Sequence, residues 1–209
     1  MACIAVFGAS GRTGQRVVQA AIAQGHTVRA LVRDPARLAP EPAVTPVAGD
    51  VLDPDAVARA LEGADGALSV LGGGTPADPR RTRSLGIRNI VTAMQAHGPR
   101  RIVAVGSGGV LDSTTGPGRR SEQPGFPAEF QLVTAEHFAA YEFLRDSTLD
   151  WTYVCPHDIP DGDATGRARV AADVMPAKPK ALPTGDLADF LLREYSARDF
   201  VGHRVGICT

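Results

Sequence analysis

CIAVFGASGRTGQRVVQAAIAQG, residues 3 to 25, decides the fold. Its first five residues are a continuous apolar run too short for a helix, as expected of a strand buried on both faces. Gly8-Ala-Ser-Gly11-Arg-Thr-Gly14 follows at once. From there to Gly25 the apolar side chains Val17, Val18, Ala21 and Ile22 fall on one stripe of a helix that ends at the glycine. A strand, a glycine-rich turn and a helix in that order make a phosphate-binding loop. Gly8 permits the tight turn, Gly11 lets the backbone approach a pyrophosphate, and Gly14 lets the helix pack close on the sheet. The helix N-terminus adds free N–H groups and a positive dipole end. Gly8, Ser10, Gly11, Arg12, Thr13 and Gly14 are thus the expected contacts of a dinucleotide's phosphates; a plain glycine turn is the alternative that this placement disfavours.

Working outward, short apolar runs keep alternating with segments of helical period. Strands are expected at CIAVF (3 to 7), TVRALV (27 to 32), VTPVA (44 to 48), GALSVL (66 to 71), RIVAVG (101 to 106), WTYVC (151 to 155) and HRVGIC (203 to 208). Asp53-Pro54 opens a helix that runs to about Leu61, as an N-cap followed by a first-turn proline does. Further helices are expected over 81 to 97, 128 to 147 and 186 to 195. This pattern predicts an α/β fold: a single doubly wound Rossmann-type domain over residues 1 to 209, with a parallel sheet of about seven strands and helices on both faces. Residues 107 to 127 and 156 to 185 break the rhythm. Both start at the carboxyl end of a strand, where open parallel sheets bind ligands, so both are expected to wall the substrate site.

Composition narrows the function. Lys and Arg total 22 against 23 Asp and Glu, a net charge of −1 that excludes nucleic-acid binding by bulk charge. No apolar run reaches the roughly 18 to 20 residues of a membrane helix. Met1 leads straight into CIAVF with no basic leader region, so a cytoplasmic protein is expected. Cys3, Cys155 and Cys208 are odd in number, widely spaced and set in strand-like runs, which predicts buried reduced thiols. The histidines at 26, 97, 137, 157 and 203 lack ligand spacing, so no metal site is expected.

The end of the second strand is where such folds choose their cofactor. Here it reads Val32-Arg33-Asp34, with Arg37 one turn on and Arg12 in the phosphate loop, so three guanidiniums could converge on a 2′-phosphate. NADPH is therefore the preferred cofactor and NADH the lesser one. Asp34 argues the other way, since it could accept a ribose hydroxyl, and Arg37 could simply be a solvated charge. Asp50 after the third strand can accept the adenine amino group while Val51 covers the ring, or Asp50 can merely turn the chain. Leu71-Gly72-Gly73-Gly74 allows close approach to ribose and phosphates, or forms a flexible loop.

The GxxGxxG spacing, Val-Arg-Asp, Gly-Asp-Val and the strand-closing Ser107 resemble the atypical short-chain dehydrogenase/reductase superfamily. GASGRTG, LVRDPARL, GDVLD, GIRNIVTAMQAHG, CPHDIPDGDATG and DLADFLLR are similar to the NADPH-dependent flavin reductase/biliverdin-IXβ reductase family over nearly the whole chain. That resemblance implies hydride transfer from NADPH to a flat conjugated acceptor, a flavin such as FMN or riboflavin or a linear tetrapyrrole. It implies that Ser107, Pro156 and His157 line the nicotinamide and acceptor, Ser107 orienting the carboxamide or acceptor and His157 anchoring the acceptor or its proton supply. It also implies a nicotinamide-ribose contact for His137, which could otherwise be an ordinary helix-surface histidine.

The Tyr-x-x-x-Lys pair of ordinary short-chain dehydrogenases is missing. The only lysines are Lys178 and Lys180, and the two positions fall on Val133 and His137. Tyr141 and Arg145 copy the spacing too late in the helix and are expected to pack and to carry surface charge. Flavin reduction needs no dedicated acid, since N5 can be reprotonated from water. GGVLDSTTGPGRRSEQPGFP, after Ser107, is longer than the family pattern and lacks aromatics beside the serine unless Phe126 and Phe130 fold back. A quinone or secondary-metabolite acceptor is therefore a second reading. A non-catalytic NADP(H) sensor like the NmrA-like regulators is a third. Oligomeric state is not legible, and a monomer is compatible with everything above.

Overall fold

The computed structural model describes residues 1–209 apart from 74, 76, 77, 79 and 80. Seven parallel strands appear where the apolar runs predict them: β1 (Cys3–Phe7), β2 (Thr27–Val32), β3 (Val44–Ala48), β4 (Gly66–Ser69), β5 (Arg101–Val105), β6 (Asp150–Pro156) and, as the last strand, β8 (His203–Cys208). An eighth was not expected. β7 (Arg169–Ala172) lies inside the second excursion and runs antiparallel to β8 at the sheet edge. The order is β3-β2-β1-β4-β5-β6-β8-β7, so the chain reverses its direction of travel between β1 and β4. That is the topological switch point, where a crevice opens at the strands' carboxyl ends.

Alternation along each strand divides the core in two. Ile4 and Val6 of β1 face α1 (Arg12–Ala23) and α5 (Thr184–Ala197) with Leu68, Val103 and Val154, while Ala5 and Phe7 face the other layer. There α2 (Pro54–Leu61), α3 (Thr82–His97) and α4 (Gln131–Arg145) pack over Ile102, Ala104 and Tyr153. Asp53 caps α2 as its sequence predicts, accepting from Asp55 N at 3.0 Å. Strand β3 is more exposed than its neighbours and carries Pro46, which an edge strand tolerates.

A buried polar knot ties α5 to the centre of the sheet. Arg101 of β5 and Glu194 of α5 form a 2.8 Å ion pair with side chains 4% and 1% exposed. Arg101 also donates to the carbonyls of Glu194 and Tyr195 in the last turn of α5, the first of which also accepts from Arg198 N. Cys155 and Cys208 are buried, Cys3 is partly so, and all three are free thiols. No helix among the described residues is long and apolar enough to cross a membrane.

Candidate functional site

A cleft of about 670 Å³ lies over the switch point. Every phosphate-loop residue singled out above lines it: Gly8, Ser10, Gly11, Arg12, Thr13 and Gly14. The loop is built from backbone because side chains would not fit. Gly8 sits at φ +90°, and a Cβ there would stand 2.7 Å from Val70 O; on Gly14 it would stand 2.0 Å from Gly8 O. Helix α1 starts at Arg12 directly behind this turn, so its unpartnered N–H groups face the cleft. Gly14→Ala is expected to force the first turn of α1 away from the sheet. We expect a loss of about 1–3 kcal/mol in urea unfolding, with dinucleotide affinity falling in parallel by calorimetry; unchanged affinity would contradict this account of the loop.

At the second strand, Arg33 and Arg37 both line the cleft, and neither guanidinium has an ion pair or hydrogen bond among the described residues. Asp34 does not line it. Its carboxylate accepts from Ala36 N at 3.0 Å and caps a short 3-10 turn, Pro35–Arg37. Arg12 lines the cleft as well, with one of its donors, Nη2, given to Ile159 O at 2.7 Å. Asp50 and Val51 line the wall after β3, Asp50 also accepting from Leu52 N at 2.9 Å. Leu71, Gly72 and Gly73 close the opposite wall; Gly74 lies outside the described residues.

Ser107, His137, Pro156 and His157 do not line that cleft. Ser107, Pro156 and His157 sit farther along the same edge, since β5 and β6 follow β4 in the sheet, and His137 lies on α4. Ser107 Oγ accepts from Gly109 N at 3.3 Å and starts the 3-10 turn Gly108–Val110, leaving the hydroxyl proton free to donate. His157 is exposed at the end of β6. Phe126 does fold back, its ring end 2.9 Å from where a Cβ of Gly109 would be, whereas Phe130 stays exposed at 45%.

Residues 8–197 match a family described as NAD(P)H-binding. The chain belongs to that family. A solved structure from Streptococcus pneumoniae, provisionally described as an NADH-flavin reductase, is 26% identical over all of this chain and 99% of its own, with a TM-score of 0.85. The anaerobilin reductase of Escherichia coli O157:H7 shares the fold at 22% identity and a TM-score of 0.74, over 98% of this chain and 96% of its own. Among curated relatives, a 3-diazoavenalumate denitrifying reductase from Streptomyces is 40% identical over 112 residues, 48% of this chain and 36% of that enzyme. A 3-beta-hydroxysteroid dehydrogenase from Mycolicibacterium neoaurum is 33% identical over 119 residues, 52% of this chain and 32% of that enzyme. The matched stretches thus span about a third of those two relatives' length.

Within this NAD(P)H-binding chain, the residue in the usual lysine position is sequestered. His137 is buried rather than on the helix surface, its Nδ1 3.2 Å from Tyr153 Oη, while that hydroxyl donates to His137 O at 2.9 Å. Burial, with Arg83 nearby, pushes the imidazole pKa down to about 3, so it stays neutral through the physiological range. The Tyr153–His137 pairing has no signature in sequence, because a tyrosine in the middle of β6 reads only as core.

The place of Thr82 escaped the sequence reading, as did the contacts that hold the 156 to 185 excursion. Thr82, at the start of α3, lines the cleft. The segment after His157 straps over α1: Arg16 pairs with Asp163 at 2.8 Å, and buried Asp186 holds the segment by accepting from Thr165 N and Gly166 N, both at 2.8 Å. Among the described residues, no group of three or more His, Cys, Asp or Glu side chains is placed to hold a metal.

Proposed function

We propose that the protein is an NADPH-dependent reductase acting on a flat conjugated acceptor, a flavin such as FMN or riboflavin or a linear tetrapyrrole. The observation that carries this reading is the pair of uncommitted guanidiniums, Arg33 and Arg37, lining a cleft built on a phosphate loop, with Asp34 turned to capping. The glycine cradle fits a pyrophosphate because any Cβ at Gly8 or Gly14 would meet backbone. Bound NADPH supplies the hydride. The N-terminus of α1 holds the pyrophosphate, Arg33 and Arg37 the 2′-phosphate, and Asp50 with Val51 the adenine. Ser107 orients the carboxamide or acceptor through a hydrogen bond from its hydroxyl, and His157, exposed after β6, anchors the acceptor or its proton supply.

The missing acid is consistent with such an acceptor. A carbonyl substrate needs a proton donor such as a lysine-activated tyrosine, and here Val133 and a neutral, buried His137 stand in those positions. Burial drives Tyr153 well above the usual tyrosine pKa, so its hydroxyl is a structural donor.

The test is NADPH oxidation by purified protein with FMN, riboflavin, a quinone and no acceptor in parallel. Acceptor-dependent consumption with flavin is expected. Silence with every acceptor beside measurable NADPH binding would replace this reading with that of a dinucleotide sensor. His157→Ala should lower acceptor kcat/KM by about tenfold or more while leaving NADPH affinity intact.

A further inference from the structure

The excursion after β5 carries two adjacent arginines held in different ways. Arg119 is committed within the fold, paired with Glu122 and lying 3.6 Å over the Phe138 ring. Arg120 has no ion pair among the described residues. Its Nη1 donates to Gly108 O at 3.3 Å. The point where a Cβ on Gly108 would stand is 3.1 Å from Arg120 Nη1, from Pro156 O and from Met175 Cε alike. The guanidinium is thus wedged where β5 and β6 end, beside the residue that follows Ser107 and the one that precedes His157.

Partial burial lowers this arginine's pKa, yet a guanidinium keeps its charge. A partly desolvated cation without a counter-ion is unfavourable until an anion meets it. The loop presenting it is tied down at several points. Arg120 N donates to Leu111 O at 2.8 Å and Asp112 N to Asp173 O at 2.9 Å. Arg204 of β8 reaches back to Val110 O and to Asp112, both at 2.8 Å. The charge is held at a defined place at the acceptor end.

We propose that Arg120 recognises an anionic group, a phosphate or a carboxylate, carried by the acceptor. This rests on the reductase reading and deepens it by fixing the acceptor's charge. One guanidinium donor is taken by Gly108 O and the others are left for oxyanion contacts. Among flavins this favours FMN over riboflavin, and among linear tetrapyrroles a propionate over its ester.

The test is equilibrium binding, by flavin fluorescence, of FMN and riboflavin to the NADP+-loaded protein, with turnover measured beside it. FMN should bind about tenfold tighter than riboflavin, and the difference should shrink as salt is raised. Arg120→Ala should remove the preference while leaving riboflavin affinity within about twofold, and Arg120→Lys should restore part of it. Biliverdin against its dimethyl ester separates a carboxylate from a phosphate preference. Equal affinity within both pairs, or a preference that survives Arg120→Ala, overturns the proposal. So does a parallel loss of FMN and riboflavin binding, which would make Arg120 a prop for its loop. An Arg120-dependent preference in binding with no turnover of any acceptor would overturn the reductase reading and leave the anion site standing.

Discussion

Glu194→Ala is expected to cost about 3–5 kcal/mol of folding stability, the largest loss foreseen for any single substitution here, because it strands Arg101 as a buried unpaired charge. Glu194 Oε1 stands 2.8 Å from Arg101 Nη2, 2.9 Å from Thr152 Oγ1 and 3.1 Å from Phe200 N. The substitution therefore removes the counter-charge of Arg101 on β5 and the acceptor of Phe200 N before β8, while Thr152 Oγ1 keeps Phe200 O and Arg101 as partners. Thermal unfolding should fall by on the order of 10 °C for a chain of this size. The double variant Arg101→Met/Glu194→Leu separates the two sources of that loss. If the single change is costly because a charge is abandoned, replacing both partners by apolar groups of similar volume should recover most of the stability. If the double variant is as unstable as the single one, the capping of α5 by Arg101 matters more than the pair.

That knot also shows where sequence ceases to be legible. Arg101 and Glu194 are 93 positions apart, and nothing in RIVAVG says that its first residue turns inward to a helix C-terminus. The central parallel strands, such as β1 and β4, were readable because they are buried on both faces and so read as short apolar runs. RVAA of β7 hid for the opposite reason: an edge strand needs no such run, and Arg169 with its charged tip is acceptable there. The phosphate loop was readable because its residues are contiguous and its chemistry is carried by backbone. The proposed acceptor end draws on the ends of β5 and β6 and on the loop at 107 to 127, so sequence marked Ser107 and His157 separately but not Arg120 between them. Arg12 shows the same limit, since nothing in its own loop signals that Nη2 donates to Ile159 O, 147 positions downstream.

Arg33→Ala carries the largest functional effect. NADP+ affinity should fall about 10- to 100-fold, the equivalent of one or two charge-assisted hydrogen bonds to a phosphate dianion, while NAD+ affinity moves by less than about twofold. The asymmetry follows from what each group does in the fold. The Arg33 guanidinium makes no hydrogen bond or ion pair among the described residues, so its removal should leave the cleft intact for a cofactor that lacks the 2′-phosphate. Asp34, spent on capping Ala36 N, offers a ribose hydroxyl only its second carboxylate oxygen and gives NADH little compensating advantage. Calorimetric titration of both cofactors at two salt concentrations checks the assignment, because a guanidinium–phosphate contact at this exposed position weakens as ionic strength rises. Equal losses for NADP+ and NAD+ would place Arg33 in general cleft architecture and remove the physical basis for preferring NADPH. A selective loss of NADP+ affinity with the same salt signature, deepened in the Arg33→Ala/Arg37→Ala double variant, fixes both arginines on the 2′-phosphate.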